Sequence, residues 1–315
     1  IMNGITIIGG GRWARQIIQT LISNNKIKNL YCYTKKSNFY LKDWLKKNKF
    51  NDYVKLINKV PLNKSKSKLA IICNKSSNHF KFAKIMLRKK YNIFVEKPVT
   101  LKSKNAYKLL KISQKNNRKI FCSNIFSFSS GLKKLFLKIK LKKIIEIDFF
   151  WHDKLNEYRY GEMKKYDSKI PIYLDVLFHV FPILDQIIKR KKYKITNVKK
   201  KVFFYNQAVI NLMINKIKIN IYLNRRAKKR VRLIKLKGKN DNYIVDFSRK
   251  KYVLKTYKNL LIKNVKYFKD QLTPIENMFK NIFRLINTNK PSCERTGLHT
   301  TLKYFYSIEE IINYK

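Results

Sequence analysis

Six consecutive residues near the start of the chain carry its clearest chemical signal: Gly9-Gly10-Gly11-Arg12-Trp13-Ala14. They fit G-x-G-x-x-A, directly after a short apolar run and at the opening of a helix-period segment. In that context Gly9 permits a tight turn, Gly11 lets the backbone approach a diphosphate, and Ala14 leaves room for close helix–strand packing. The N–H groups of the helix's first turn face the anion. The chemistry is dinucleotide binding. The end of the next apolar run chooses between dinucleotides, because an Asp or Glu there accepts from the ribose 2′-OH of NAD. The sequence has instead Tyr33-Thr34-Lys35-Lys36-Ser37, two cations flanked by hydroxyls, which suits a 2′-phosphate. The expectation is NADP(H) held by Thr34, Lys35 and Lys36. NAD(H) stays open, since a chance lysine pair is common in a chain with 60 lysines.

Those residues must be positioned by a fold, and the apolar pattern supplies one. Ile5 to Ile8 is a compact strand, and residues 12–24 place Trp13, Ile17, Ile18, Leu21 and Ile22 on one helical face. Strands at 30–33, 69–73, 93–95 and 120–123 follow, with helices at 77–89 and 103–115 between them. Repeated β-α units imply a doubly wound parallel sheet with helices on both faces, over residues 1–123. Beyond that the pattern changes. A helix at 131–139, a long strand at 144–151, a polar stretch and a helix at 172–189 precede strands at 195–206, 209–215, 217–224, 231–236, 243–247 and 252–257. Many of these alternate with period two, which means one wet face and one dry face. Helices at 274–287 and 297–314 end the chain, the last able to pack back on the first domain. The fold class is therefore α/β, a Rossmann domain followed by an α+β domain, 124–315, with a large, mainly antiparallel open sheet.

Composition narrows the function. Of the 315 residues, 73 are Lys or Arg and 18 are Asp or Glu, a net charge of +55, while 45% are hydrophobic, too many core formers for a disordered polybasic chain. The charge has two readings, a nucleic-acid or acidic-membrane partner or an AT-rich genome that places Lys at surface positions. The lysines are spread over nearly every segment and Arg, the better base reader, is scarce, so the second reading is preferred and neither nucleic acid nor membrane is expected as a partner. Four cysteines without a CxxC pair and four scattered histidines argue against a metal site or disulfide framework. The chain opens directly on a strand, and nowhere do ~18 apolar residues run together. A soluble protein of the cytoplasm is the expectation.

The ordered set of glycine turn, Asn78-His79 after the strand at 69–73, Val95-Glu96-Lys97-Pro98 at the end of the strand at 93–95, and Asp175-x-x-x-His179 on the first long helix of the second domain resembles the glucose-fructose oxidoreductase / inositol dehydrogenase / rhizopine catabolism (Gfo/Idh/MocA) family over almost the whole chain. The resemblance implies an NAD(P)-dependent oxidoreductase. Hydride transfer between nicotinamide and a carbinol carbon needs a positioned acid/base at the oxygen on that carbon. By resemblance Lys97 is that group, His179 a second proton-transfer partner, and Asp175 its orienter or a hydrogen-bond acceptor. Asn74, His79 and Glu96 then join Gly9, Gly11, Arg12, Trp13, Ala14 and Lys97 on the cofactor side. By spacing alone, Asp175 and His179 share a helical face, as a solvated pair equally would; Trp13 either covers the diphosphate or packs on the sheet. The resemblance also implies a homodimer or dimer of dimers through the open face of the second sheet.

Departures from the family pattern bear on the substrate. Pro171-Ile172-Tyr173-Leu174 replaces the usual glycines before Asp175, Phe178 precedes His179, Pro182 stands three residues after it, and Asn74-Lys75 replaces Thr-Pro. The polar and aromatic stretch from Trp151 to Asp167 reads as a pocket wall or lid in which His152, Arg159, Tyr160 and Tyr166 meet a small polar substrate, or as an ordinary exposed loop. The leading expectation is a sugar, cyclitol or related carbonyl/alcohol substrate. The alternatives are an NADPH-dependent imine reductase of a biosynthetic assembly line and a non-enzymatic cofactor-sensing regulator on the same fold.

Overall fold

Short apolar runs with no polar alternation need cover on both faces, and the first third of the chain provides it. A computed structural model describes residues 4–314 other than 26, 28, 35–37, 61–68, 160, 161, 165, 168, 169, 190–192, 259 and 289–294. Strands β1 (Ile5–Ile8), β2 (Leu30–Tyr33), β3 (Val54–Ile57), β4 (Leu69–Ile72), β5 (Asn92–Val95) and β6 (Ile120–Cys122) form an all-parallel sheet in the order β3-β2-β1-β4-β5-β6. Helices α1 (Arg12–Asn25), α2 (Asn38–Lys47), α3 (His79–Arg88) and α4 (Ser103–Lys115) make the crossovers. Every residue of β1, β4 and β6 is buried, as a sheet covered on both sides requires. Strand order reverses at β1 and β4, and a doubly wound sheet opens its ligand crevice at that switch point.

The second sheet is built on other principles. After α5 (Ser130–Phe136) come β7 (Ile144–Lys154), the two-residue strands β8 (Tyr158–Arg159) and β9 (Glu162–Met163), and α6 (Ile172–Ile188). Strands β10 (Ile195–Phe203), β11 (Gln207–Ile214), β12 (Ile217–Ala227), β13 (Val231–Gly238), β14 (Asn242–Asp246), β15 (Lys251–Lys258) and β16 (Leu261–Lys269) follow. The order is β10-β11-β12-β7-β13-β14-β15-β16, antiparallel throughout except for the β12–β7 pair. Period-two patterning gives this sheet one buried face, with Ile147, Phe149 and Trp151 of β7 beside Ile219, Ile221 and Leu223 of β12. Helix α6 packs against β11 and β12 and is itself largely apolar, burying Val176, Leu177, Phe178, Val180 and Phe181 among others.

Two helices end the chain, α7 (Pro274–Asn287) and α8 (Leu298–Asn313). The chain divides into two compact units, residues 1–124 with 158–162 and 275–305, and residues 125–157 with 163–274 and 306–315. In the first unit Phe279 of α7 packs on Phe94 of β5 at 5.1 Å between ring centroids, and Lys119 donates to Leu285 O at 2.7 Å. Just before α8, Thr296 O accepts from Cys122 N–H at 2.7 Å, and Gly297 bridges Phe121 antiparallel. Helix α2 and strands β3 and β16 are additional to the elements read from the pattern. The last is exposed along nearly its whole length and so lacks the alternation that marks a half-buried strand.

Candidate active site

In the first unit the site is made mostly of backbone. Gly9 follows β1 at φ +131°, and a Cβ there would stand 2.8 Å from Asn74 N and 2.9 Å from Cys73 C and O, so the turn admits only glycine. A Cβ on Gly10 would meet the Thr34 side chain at 3.0 Å. At Gly11 a Cβ would have nothing within 4 Å, open space at the head of α1. The first bond of that helix runs from Arg15 N–H to Gly11 O at 3.1 Å, so the preceding amides stand ahead of its ladder. Ala14 is wholly buried, whereas Arg12 and Trp13 are half-buried. Beside this turn Asn74 Oδ1 is buried without a hydrogen-bond partner, an acceptor suited to an amide donor. Space, amides and acceptor all fit a dinucleotide. Thr34 stands at the turn half-buried, while Lys35 and Lys36 lie outside the described residues.

Strand β5 delivers the next group. Glu96 is buried, its Oε1 accepting from Ser123 Oγ at 2.6 Å and its Oε2 from Lys97 N–H at 3.2 Å. Burial pushes its carboxyl up to about 7, against the opposing pull of Ser123, the Trp13 indole and Lys97. Lys97 is half-exposed and its peptide to Pro98 is cis. His79, at the start of α3, is 1% exposed, with Nδ1 2.8 Å from Pro98 O and Nε2 3.0 Å from Asn74 O. Burial lowers its pKa. Glu96 and His79, both expected on the cofactor side, thus turn their polar atoms to the protein around the Lys97 turn.

In the second unit the site is made of side chains. Asp175 accepts from Arg225 Nη2 of β12 at 2.9 Å, and Arg225 Nη1 donates to Ile170 O at 3.0 Å. The Arg225 guanidinium is 4.7 Å from the Tyr166 ring centroid, and Lys164 Nζ is 4.6 Å from the same ring. His179 is stacked on Trp151 of β7, centroids 5.0 Å apart at 15°, and meets Phe126 edge-on at 5.3 Å. Arg232 of β13 pairs with Trp151 in register and lays its guanidinium 3.9 Å from a ring centroid of that indole. Arg232 also forms a close ion pair with Asp153, which Lys164 joins at 2.9 Å. Burial alone would raise Asp153, yet Arg232 and Lys164 outweigh it and hold the carboxyl well below its ordinary range. Indole, two buried ion pairs and a stacked phenol so link the surroundings of His179 to those of Asp175.

Not every expected substrate residue shares this face. His152 lies on β7 between Trp151 and Asp153, so its ring points to the other side of the sheet, where it meets Phe150 at 6.2 Å. Burial, then the Arg232 charge, lowers its pKa. That alternation sets His152 apart from Trp151 and Asp153. Tyr166 is in the network, packed against cations. The Arg159 side chain and Tyr160 lie outside the described residues. Arg225 and Arg232 escaped the sequence reading, although a signal existed. Each continues a buried apolar stripe, Ile219-Ile221-Leu223-Arg225 and Arg232-Ile234-Leu236, in a chain that otherwise prefers Lys.

An NAD(P)-binding oxidoreductase is the class this fold and glycine turn define. Residues 4–123 match the model of the oxidoreductase family with NAD-binding Rossmann fold, GFO_IDH_MocA. Solved structures extend the likeness in fold to the full length. UDP-N-acetylglucosamine 3-dehydrogenase GnnA from Acidithiobacillus ferrooxidans aligns at TM-score 0.75 and 12% identity, over 99% of this chain and 97% of that one. The dehydrogenase MviM from Clostridium difficile aligns at 0.76 and 13%, over 99% of each. KijD10, a 3-ketoreductase from Actinomadura kijaniata solved with NADP and TDP-benzene, aligns at 0.78 and 9%, over 98% and 97%. No protein of curated function matches the chain by sequence. Among the described residues no helix is long and apolar enough to cross a membrane.

Proposed function

We infer that the protein is an NADP(H)-dependent oxidoreductase acting on a polar carbonyl or alcohol of a small sugar-like or cyclitol-like metabolite. One observation carries the reading: the open head of α1 at Gly11 and the anchored Lys97 both follow strands of one parallel sheet at its carboxyl edge, the edge where such sheets bind ligands. The dinucleotide, when bound, supplies or accepts the hydride. The chain's own residues do the rest. The first amides of α1 bind the diphosphate, Thr34 with Lys35 and Lys36 takes the 2′-phosphate, and Asn74 Oδ1 offers an acceptor. Lys97, held at its own N–H by Glu96, exchanges the proton with the oxygen on the reacting carbon. His179, fixed by its stack on Trp151, is a second proton-transfer partner, and Asp175, held by Arg225 at 2.9 Å, accepts from a substrate hydroxyl. Likeness in fold to GnnA, a UDP-N-acetylglucosamine 3-dehydrogenase, supports a sugar-type substrate, and likeness to the 3-ketoreductase KijD10 supports carbonyl reduction. The reading includes a cytoplasmic homo-oligomer formed on the outer face of the eight-stranded sheet.

Titration with NADPH and with NADH, followed by nicotinamide fluorescence, tests the cofactor, with NADPH expected to bind more tightly. NADPH oxidation is then screened against nucleotide sugars, free sugars, keto-cyclitols and cyclic imines. On any substrate found, Lys97→Met keeps NADPH affinity and loses about 10²–10⁴-fold in turnover, the usual worth of a positioned acid/base. Undiminished turnover in that variant overturns the role of Lys97, and turnover of imines alone favours the imine-reductase alternative.

A further inference from the structure

The Lys97 turn is held at two backbone points, and the second is a histidine. Glu96 Oε2 takes the Lys97 N–H at 3.2 Å, and His79 Nδ1 stands 2.8 Å from the carbonyl of the next residue, Pro98. His79 is 1% exposed, and its other nitrogen is 3.0 Å from Asn74 O. These partners, like the Glu96 backbone carbonyl that also faces the ring, are carbonyl oxygens, which only accept. A neutral imidazole has a single N–H to donate, and burial favours the neutral ring. The ring therefore serves one carbonyl fully, and the shorter contact is the one to Pro98. We propose that His79 is a positioning residue for Lys97: its Nδ1–H holds the Pro98 carbonyl, so that together with Glu96 it fixes the backbone on either side of the Lys97 side chain, without itself touching cofactor or substrate. The inference rests on the role given to Lys97 above, but the arrangement it describes exists in the ligand-free protein.

Two amide side chains separate the arms of the ring. The Asn amide nitrogen falls near the place of Nδ1, and the Gln amide nitrogen near that of Nε2. His79→Asn keeps a donor for Pro98 O, His79→Gln keeps one for Asn74 O, and His79→Leu keeps neither. The position of Lys97 is read without a substrate, as its rate of acetylation by an N-hydroxysuccinimide acetate ester, followed by peptide mass spectrometry. Losing the hydrogen bond, worth about 1 kcal/mol, is expected to change that rate about fivefold in the Gln and Leu variants while leaving the Asn variant within about twofold of the parent. NADPH affinity, measured by fluorescence, stays within about twofold in all three. In the unsubstituted protein, long-range ¹H–¹⁵N correlation of the imidazole ring is expected to show the Nδ1–H tautomer, the His79 signal being the one missing from the variants. An Nε2–H tautomer, an Asn variant as disturbed as the Leu variant, or a Lys97 rate unmoved in all three overturns the proposal. Should the variants fail to fold, the tautomer alone decides, its signal assigned by elimination with His152→Gln, His179→Gln and His299→Gln. Failure of the parent protein to bind NADPH would fell the dinucleotide reading instead, and leave the tautomer and acetylation results to judge His79.

Discussion

The glycine-turn region and the α6 region hold their polar groups in opposite ways. Around Gly9 the donors are main-chain amides, one side chain, Asn74, offers an acceptor, and Glu96 and His79 brace a turn. Around Asp175 and His179 the main chain only supplies a face, and order comes from buried ion pairs and stacked rings that span β7, β12 and β13. Backbone sites tolerate almost no added volume. Ionic sites tolerate volume but not the loss of one partner.

The sharpest break of that contrast is at Asp153. Its removal, Asp153→Ala, leaves the Arg232 charge, 2% exposed, without its close carboxylate, and a broken buried pair costs about 3–5 kcal/mol; urea unfolding followed by Trp fluorescence measures it. Replacing both members, Asp153→Leu with Arg232→Met, is expected to recover most of that loss, because a well-packed apolar pair avoids desolvation altogether. Next in size is Gly9→Ala. The added Cβ collides with rigid main chain at 2.8–2.9 Å and the positive φ disfavours any side chain, a loss of about 2–3 kcal/mol with NADPH binding abolished, as fluorescence titration will report.

Glu96 sharpens the comparison through pH. Its folded pKa of about 7 stands above the ordinary 4.5, so the native state binds this proton more tightly than the unfolded one. Stability then falls as pH rises from about 4.5 through 7, by about 3 kcal/mol in all at ~1.4 kcal/mol per unit. Glu96→Gln removes that slope, so the variant gains on the parent between pH 5 and 8 in thermal melts. Asp153 has the opposite sign, since a depressed carboxylate stabilises at neutral pH and loses its contribution only as pH drops below the ordinary Asp range. The smallest effect is expected at Arg225→Met. Asp175 keeps partial solvent contact, with a side chain 26% exposed, so stability falls by only about 1–2 kcal/mol, while turnover falls through the loss of a fixed carboxylate.

How legible each region was follows from the same contrast. A turn that only glycine can make leaves its mark in six adjacent letters, and its parallel sheet announces itself through short buried runs, so the Rossmann order and the glycine turn could be read directly. The network around α6 joins residues as far as 81 positions apart, such as Trp151 with Arg232, and no local pattern encodes such a meeting. Alternation could have placed His152 opposite Trp151, and the arginines in apolar register could have been noticed. Strand β16, exposed along nearly its whole length, lacks the periodicity that burial imposes, and Lys-rich α2 shows it only in Leu41, Trp44 and Leu45.

The strap of chain at residues 295–297, paired to the outer edge of β6, has a consequence for biosynthesis. The strands of the six-stranded sheet leave the ribosome well before two of its neighbours, Phe279 against Phe94 and Thr296 against Cys122. That sheet must therefore wait with one flank bare until residue 297 has emerged, and a fragment ending at residue 124 would stay in that unfinished state.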